Sequence, residues 1–339
     1  DDQLHNNKFF NLKGEKNRFP YFATGLTSSA PINYDYGFDV DIVADHDGGC
    51  YMITGIPGND ETPGLGDSGK IKLHYIDANG SVEMLYSDKP ATVGLNDRFG
   101  ESVTICSGST GIYFGASAPD NGTGKVFYYK HVPGGATTEL TDSTTVTATV
   151  TKFGAKIKSL YDEVDSKVYF AILDATNSNG TDSIGIHLRS VATAGTTVAK
   201  DGETFFDKAD AGTIDGGISP RDYLGLDLLK TDYSVSANDR LHIAVSSQKY
   251  QNGSDKGAVL LKLWNGAAFS DPSTAGPYLD VIDTTTLGYG SDISLVASYT
   301  NGSSYTEGYV AVGRGYLGSD TKQGTVALFH TDFDSGFRI

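Results

Sequence analysis

Five sets of residues in this sequence have types or spacings that could do chemistry. Cys50 and Cys106 can close one disulfide or stand as two buried thiols. A bond between them would close a loop of about 56 residues and add roughly 4 kcal/mol in the chain-entropy picture. Two cysteines are too few for a disulfide framework, and their separation is not that of a zinc site. The run GLGDSGK at 64–70 overlays three motifs. Gly64, Gly69 and Lys70 match most of a phosphate-binding loop, but Ile71 stands where the Mg²⁺-binding Ser or Thr belongs, and a strand follows instead of a helix. Gly64, Gly66 and Gly69 fit the dinucleotide-binding glycine pattern, which also needs a helix N-terminus to receive the pyrophosphate. Asp67-Ser68-Gly69 matches a serine nucleophile loop, with no histidine segment to accompany it. A plain hairpin loop accounts for the run. His74, His187, His242 and His330 fall in strand-like runs and read as strand-face residues, since the H-E-x-x-H pair of zinc hydrolases is absent. Paired carboxylates for glycoside hydrolysis would come from distant segments and leave no local pattern, so no pair is singled out. Asn-Gly-Ser/Thr triplets at Asn79, Asn121, Asn179, Asn252 and Asn301 are at once hairpin turns and N-glycosylation acceptors.

The elements that would position these residues are strands. Apolar residues alternate with period two in KIKLHYI at 70–76, KVFYYK at 125–130, AVLLKLW at 258–264 and TVALFHT at 325–331. Between such runs lie Asn-Gly, Asp-Gly and Gly-Gly pairs, which supply the positive φ of tight hairpins. The best helix candidate, GETFFDKADAG at 202–212, is short and ends on Gly, so little helix is expected. The 42 Gly and 10 Pro of the 339 residues favour many short elements. The charge of -16 sets the surface against phosphate backbones and anionic lipid, which excludes nucleic acid as a partner. No run reaches the ~18 to 20 apolar residues that cross a bilayer, so no membrane insertion is expected. A chain that starts at Asp1 instead of Met reads as exported and mature.

The strands repeat as units. A bulky residue followed by Gly opens a strand at Tyr36-Gly37, Phe99-Gly100, Phe153-Gly154, Leu224-Gly225 and Tyr289-Gly290, at spacings of 63, 54, 71 and 65 residues. A second apolar strand follows each opening: ITGIP at 53–57, YFGASAP at 113–119, YFAI at 169–172, HIAVSS at 242–247 and YVAVGRG at 309–315. In four units a Gly then opens a third strand, at Gly69, Gly124, Gly257 and Gly324.

This pattern resembles the FG-GAP repeat of integrin α-chains and many bacterial and archaeal surface proteins, and RFGESV, YFGASAP and GKVFYY at 98–129 match it best. The resemblance covers 36–339 and implies an all-β fold, a β-propeller of four-stranded antiparallel blades. Five repeats are complete, at about 36–97, 98–151, 152–222, 223–287 and 288–339; six blades can be accommodated and seven fit less well. Residues 1–35 carry two further strand-like runs, KFFNLKG and YFATGL, which could close the ring, add a blade or contact another subunit. The family often carries a calcium loop between first and second strands. Here Asp45 and Asp47 are the candidate ligands, short of the family's full carboxylate set. Asp162 with Asp165, and Asp232 with Asn238 and Asp239, occupy similar loops with worse spacing.

The function expected from this resemblance is non-enzymatic: an exported adhesion or assembly module with a protein or glycan ligand, including copies of itself through the N-terminal strands. Calcium is the one cofactor expected. The alternatives are a glycan-binding lectin and a glycan or phosphoester hydrolase using carboxylates around the channel.

Overall fold

The computed structural model describes residues 37–59, 66–143, 152–178, 181–206, 224–231, 240–247, 258–270, 278–279, 289–299, 306–314 and 325–332. The chain divides between Tyr34 and Asp35, and the architecture below is that of the second unit. The runs KFFNLKG and YFATGL, the sequons at Asn179, Asn252 and Asn301, and the loop of Asp232, Asn238 and Asp239 lie outside the described residues.

Every regular element among the described residues is a strand, so the fold is all-β. The candidate helix at 202–212 is strand as far as it is described, because Gly202 to Phe206 continue a ladder instead of closing a helical turn. The first antiparallel meander is β1 (Val40–Ala44), β2 (Cys50–Ile56), β3 (Lys70–Ile76) and β4 (Val82–Asp88). The second is β5 (Val103–Gly108), β6 (Gly111–Ala118), β7 (Lys125–His131) and β8 (Thr137–Asp142). The third is β9 (Lys156–Asp162), β10 (Lys167–Ser178), β11 (Thr181–Ala192) and β12 (Thr197–Phe206). A short parallel pairing of Thr197 and Val198 with Thr141 and Asp142 joins the last strands of the second and third meanders into one sheet. The fourth has β13 (Leu224–Thr231), β14 (Arg240–Ser247) and β15 (Ala258–Trp264), with β16 (Phe269–Ser270) and β17 (Tyr278–Leu279) both against β15. The fifth is β18 (Tyr289–Tyr299), β19 (Thr306–Arg314) and β20 (Thr325–Asp332).

The first strands of successive meanders lie side by side in the order β1, β5, β9, β13, β18. Four apolar cores separate the meanders. Ile53, Leu73, Phe99 and Phe114 fill the first, and Tyr113, Tyr128, Phe153 and Phe170 the second. Leu173, Ile186, Ile243 and Trp264 fill the third, and Leu261, Ile293, Val310 and Val312 the fourth. On β10 the period of two sends Phe170 and Ile172 into one core and Tyr169, Ala171 and Leu173 into the next. A middle strand is therefore apolar on both sides, and each such aliphatic or aromatic side chain contributes about 1.5–3 kcal/mol on burial.

The repeated Gly before a third strand has a packing reason. Gly69 and Gly124 have φ of 88° and 98° and form isolated parallel bridges with Phe99 and Phe153, the opening aromatics of the following meander. A Cβ on Gly69 would lie 2.1 Å from the Phe99 carbonyl oxygen. This contact locks each aromatic plug into the core beside it. No helix among the described residues is long and apolar enough to cross a membrane.

Candidate functional site

The first strands β1, β5 and β9 are not sheet neighbours, so their inward edges must satisfy backbone N–H groups in another way. Short polar side chains at fixed offsets from three of the opening glycines, Gly37, Gly100 and Gly225, do this. Asp39, two residues after Gly37, accepts from the Ser102 hydroxyl and the Val103 N–H at 2.9 Å each. Asp41, four residues after it, accepts from Thr104 Oγ1 at 3.1 Å and the Ile105 N–H at 3.0 Å. The second meander repeats the device toward the third: Ser102 Oγ accepts from the Ile157 N–H at 3.2 Å, and Thr104 Oγ1 from the Ser159 N–H at 2.8 Å. Asp227, two residues after Gly225, accepts from the Leu295 N–H of β18 at 2.7 Å.

One contact breaks the neighbour-to-neighbour pattern. Lys158 on β9 reaches past β5 to Asp41 on β1, with Nζ 3.3 Å from Oδ1. Burial by itself would lower the Lys158 ammonium, but Asp41, Asp227 and Asp39 outweigh it and raise it. The Asp227 carboxyl is also raised, by burial first and by the charge of Asp41, against the pull of the Leu295 N–H and Lys158. Carboxyl groups from the first and fourth meanders are thus electrostatically coupled around an ammonium from the third. Such a cluster can pass a proton at one carboxyl and hold charge at the other.

The residues singled out in the sequence lie elsewhere. Asp45 and Asp47 stand in the turn between β1 and β2, where Asp45 accepts from the His46 N–H at 2.9 Å and the Tyr75 hydroxyl at 3.2 Å. Of the two candidate calcium carboxylates, that of Asp45 is thus engaged within the turn and by Tyr75. Among the described residues no group of three His, Cys, Asp or Glu side chains could hold a metal. Asp162 caps its own turn through the Val164 and Asp165 N–H groups and pairs with Lys230 of the fourth meander.

Cys50 and Cys106 are both free thiols, so the disulfide left open by the sequence is not formed. Cys50 is partly buried on β2 and Cys106 buried on β5, and burial raises both thiols, Cys106 to about 12. His187 is buried with Nε2 2.5 Å from Asp174, His242 is buried on β14, and burial followed by Lys72 lowers His74. His330 belongs to β20. Gly64 lies outside the described residues; at 66–70, Ser68 is buried and donates to the Asn59 carbonyl while Lys70 begins β3, the geometry of a turn entering a strand. Asn79 lies exposed in the turn between β3 and β4, whereas Asn121 donates through Nδ2 to the Thr92 carbonyl and to Asp97. The cluster of Asp39, Asp41, Lys158 and Asp227 went unselected by motif. Its signal was the polar residue two or four places after each opening Gly.

No family model matches the chain, so the FG-GAP resemblance rests on its motifs alone, and no curated protein matches it. Solved structures do. An endo-arabinase from Bacteroides thetaiotaomicron is 12% identical with a TM-score of 0.45, over 88% of this chain and 95% of the other. A thermostable family-43 glycoside hydrolase is 12% identical with a TM-score of 0.42, over 89% and 91%. A β-fructofuranosidase from Schwanniomyces occidentalis, complexed with fructosyl-erythritol, is 9% identical with a TM-score of 0.38, over 89% of this chain and 61% of the other. These neighbours correct the expected function. They are enzymes of glycan hydrolysis where a non-enzymatic, integrin-like adhesion or filament module was expected, and that reading is set aside.

Proposed function

We propose that the chain is a glycan hydrolase whose meanders are the blades of a β-propeller, with Asp41 and Asp227 as its acid–base pair on the central strands. The observation that carries this reading is the ion pair of Lys158 on β9 with Asp41 on β1 at 3.3 Å, with Asp227 on the adjacent β13 and its carboxyl raised by burial. Glycosidic bonds are cleaved by two carboxyl groups in unlike environments, one protonated at working pH and one not. Asp227 is the group that keeps its proton to higher pH. It would give that proton to the glycosidic oxygen as the C–O bond breaks. Asp41, held by the Thr104 hydroxyl, the Ile105 N–H and Lys158, would take a proton from the water that forms the new C–O bond. The net charge of -16 suits a neutral glycan and opposes a phosphoester. A polymeric glycan would also place the chain outside the cell.

The test is a panel of arabinans, fructans and aryl glycosides. Turnover of one class is expected, with Asp227→Asn and Asp41→Asn each lowering it about 10²–10⁴-fold. The rate should fall on the basic side as Asp227 loses its proton, above the usual carboxylate range. Wild-type rates in both variants, or no turnover on any member, would overturn the proposal.

A further inference from the structure

We infer that Lys158 is the positioning residue of this cluster: its ammonium pairs with the Asp41 carboxylate and supplies the counter-charge that acts on both Asp41 and Asp227, so that two carboxyl groups from different meanders take different roles. The inference rests on the glycan-hydrolase reading for what the two roles are, and on geometry for Lys158 itself. The other first-strand bridges described above join adjacent meanders, as Asp41 does to Thr104 and Thr104 to Ser159. The Lys158–Asp41 pair skips a meander, so Lys158 reaches from β9 past β5 to β1. Asp41 has Oδ2 committed to Thr104 and Ile105, while Oδ1 accepts from the neighbouring Ile42 N–H at 3.1 Å and from Lys158, the one cation among these partners. Asp227 lies on β13, beside the strand that carries Lys158, and uses its two oxygens on the Leu228 and Leu295 N–H groups.

The charged groups that act on Lys158 are Asp41, Asp227 and Asp39, and those that act on Asp227 are Lys158 and Asp41. With Lys158 neutralised, the like charges of Asp41 and Asp227 would face each other without the ammonium, and the second of two such carboxyls ionises only at higher pH. Arginine at the same place would keep the charge, if not the point contact.

The experiment is a titration of ¹³C-labelled Asp carboxyls in the full chain, with Asp227 assigned by its loss in Asp227→Asn. In Lys158→Met the Asp227 midpoint should move to higher pH, in Lys158→Arg it should stay near the wild-type position, and in Asp41→Asn it should move down. An unmoved Asp227 midpoint in folded Lys158→Met, or the same movement in Lys158→Arg, would overturn the inference. Should Lys158→Met fail to fold, Asp41→Asn decides, since an unmoved midpoint there means no coupling exists for Lys158 to mediate. None of these arms needs a substrate, so the absence of glycan turnover would sink the hydrolase reading and leave the role of Lys158 to be judged separately. On a turned-over glycan, the basic limb of the rate profile should follow the Asp227 midpoint upward in Lys158→Met.

Discussion

Asp227 shows how a single side chain carries both the stability and the chemistry of this site. Burial holds its proton to higher pH in the folded chain than in the unfolded one. The folded state therefore binds more protons across that window. The stability this contributes is complete below the unfolded chain's carboxylate range and is lost as pH rises through the folded midpoint. Asn cannot ionise and still offers an oxygen to the Leu295 N–H. Asp227→Asn should thus melt above the wild type at neutral pH, with a gap that shrinks as pH falls and closes below the unfolded carboxylate range of about 4, where Asp is neutral in both folded and unfolded chains. Melting curves at several pH values check this, and a gap that does not vary with pH would refute it. Residue type alone could not single out Asp227 among the 42 acidic side chains, because its shift comes from burial in the fold, with Asp41 of β1 adding to it and Lys158 of β9 and the Leu295 N–H of β18 opposing it.

Strand entry is where the sequence is most legible. The opening Phe99-Gly100 and the Gly69 before β3 recur as a pair of signals because they are two sides of one contact, the bridge between Gly69 and Phe99. A side chain at Gly69 would meet Phe99 backbone and would also force a non-Gly residue to φ of 88°. Gly69→Ala is expected to cost about 3 kcal/mol or more, from overlap together with backbone strain. Gly80, in the turn between β3 and β4, has φ of 85° but nothing within 4 Å of its added Cβ. Gly80→Ala should then cost only about 1–2 kcal/mol, the left-handed backbone penalty by itself. Denaturant titration of both variants separates the two causes, and equal costs would mean that the Phe99 contact is not what constrains Gly69. The period of two likewise marked β3, β7, β15 and β20 correctly as strands, since alternation is set locally by the pleat. The 202–206 segment misled because its Gly and acidic residues weaken alternation, and only pairing with β11 makes it strand.

Across the whole molecule, cohesion comes from the cores between successive meanders. Phe170, fully buried between the second and third, and Leu328, 67% exposed on β20, are both apolar strand residues that sequence cannot tell apart. Phe170→Ala should cost about 3–5 kcal/mol, and Leu328→Ala no more than about 0.5 kcal/mol. Thermal unfolding of the two variants tests this, and similar losses would contradict the core assignment. The sequence by itself determined an all-strand chain, the units that open on a bulky residue and Gly, and the exclusion of phosphate-loop chemistry, because turn preference, pleat and motif spacing are local properties. Only the tertiary structure decided that Cys50 and Cys106 stay apart as thiols, that Asp45 is spent on a turn and Tyr75, and that Asp41, Lys158 and Asp227 share one electrostatic environment. The physical reason is that these outcomes depend on how separate meanders set their first strands against one another. Residues four, four and two places after three different opening glycines meet only when the strands that carry them lie side by side.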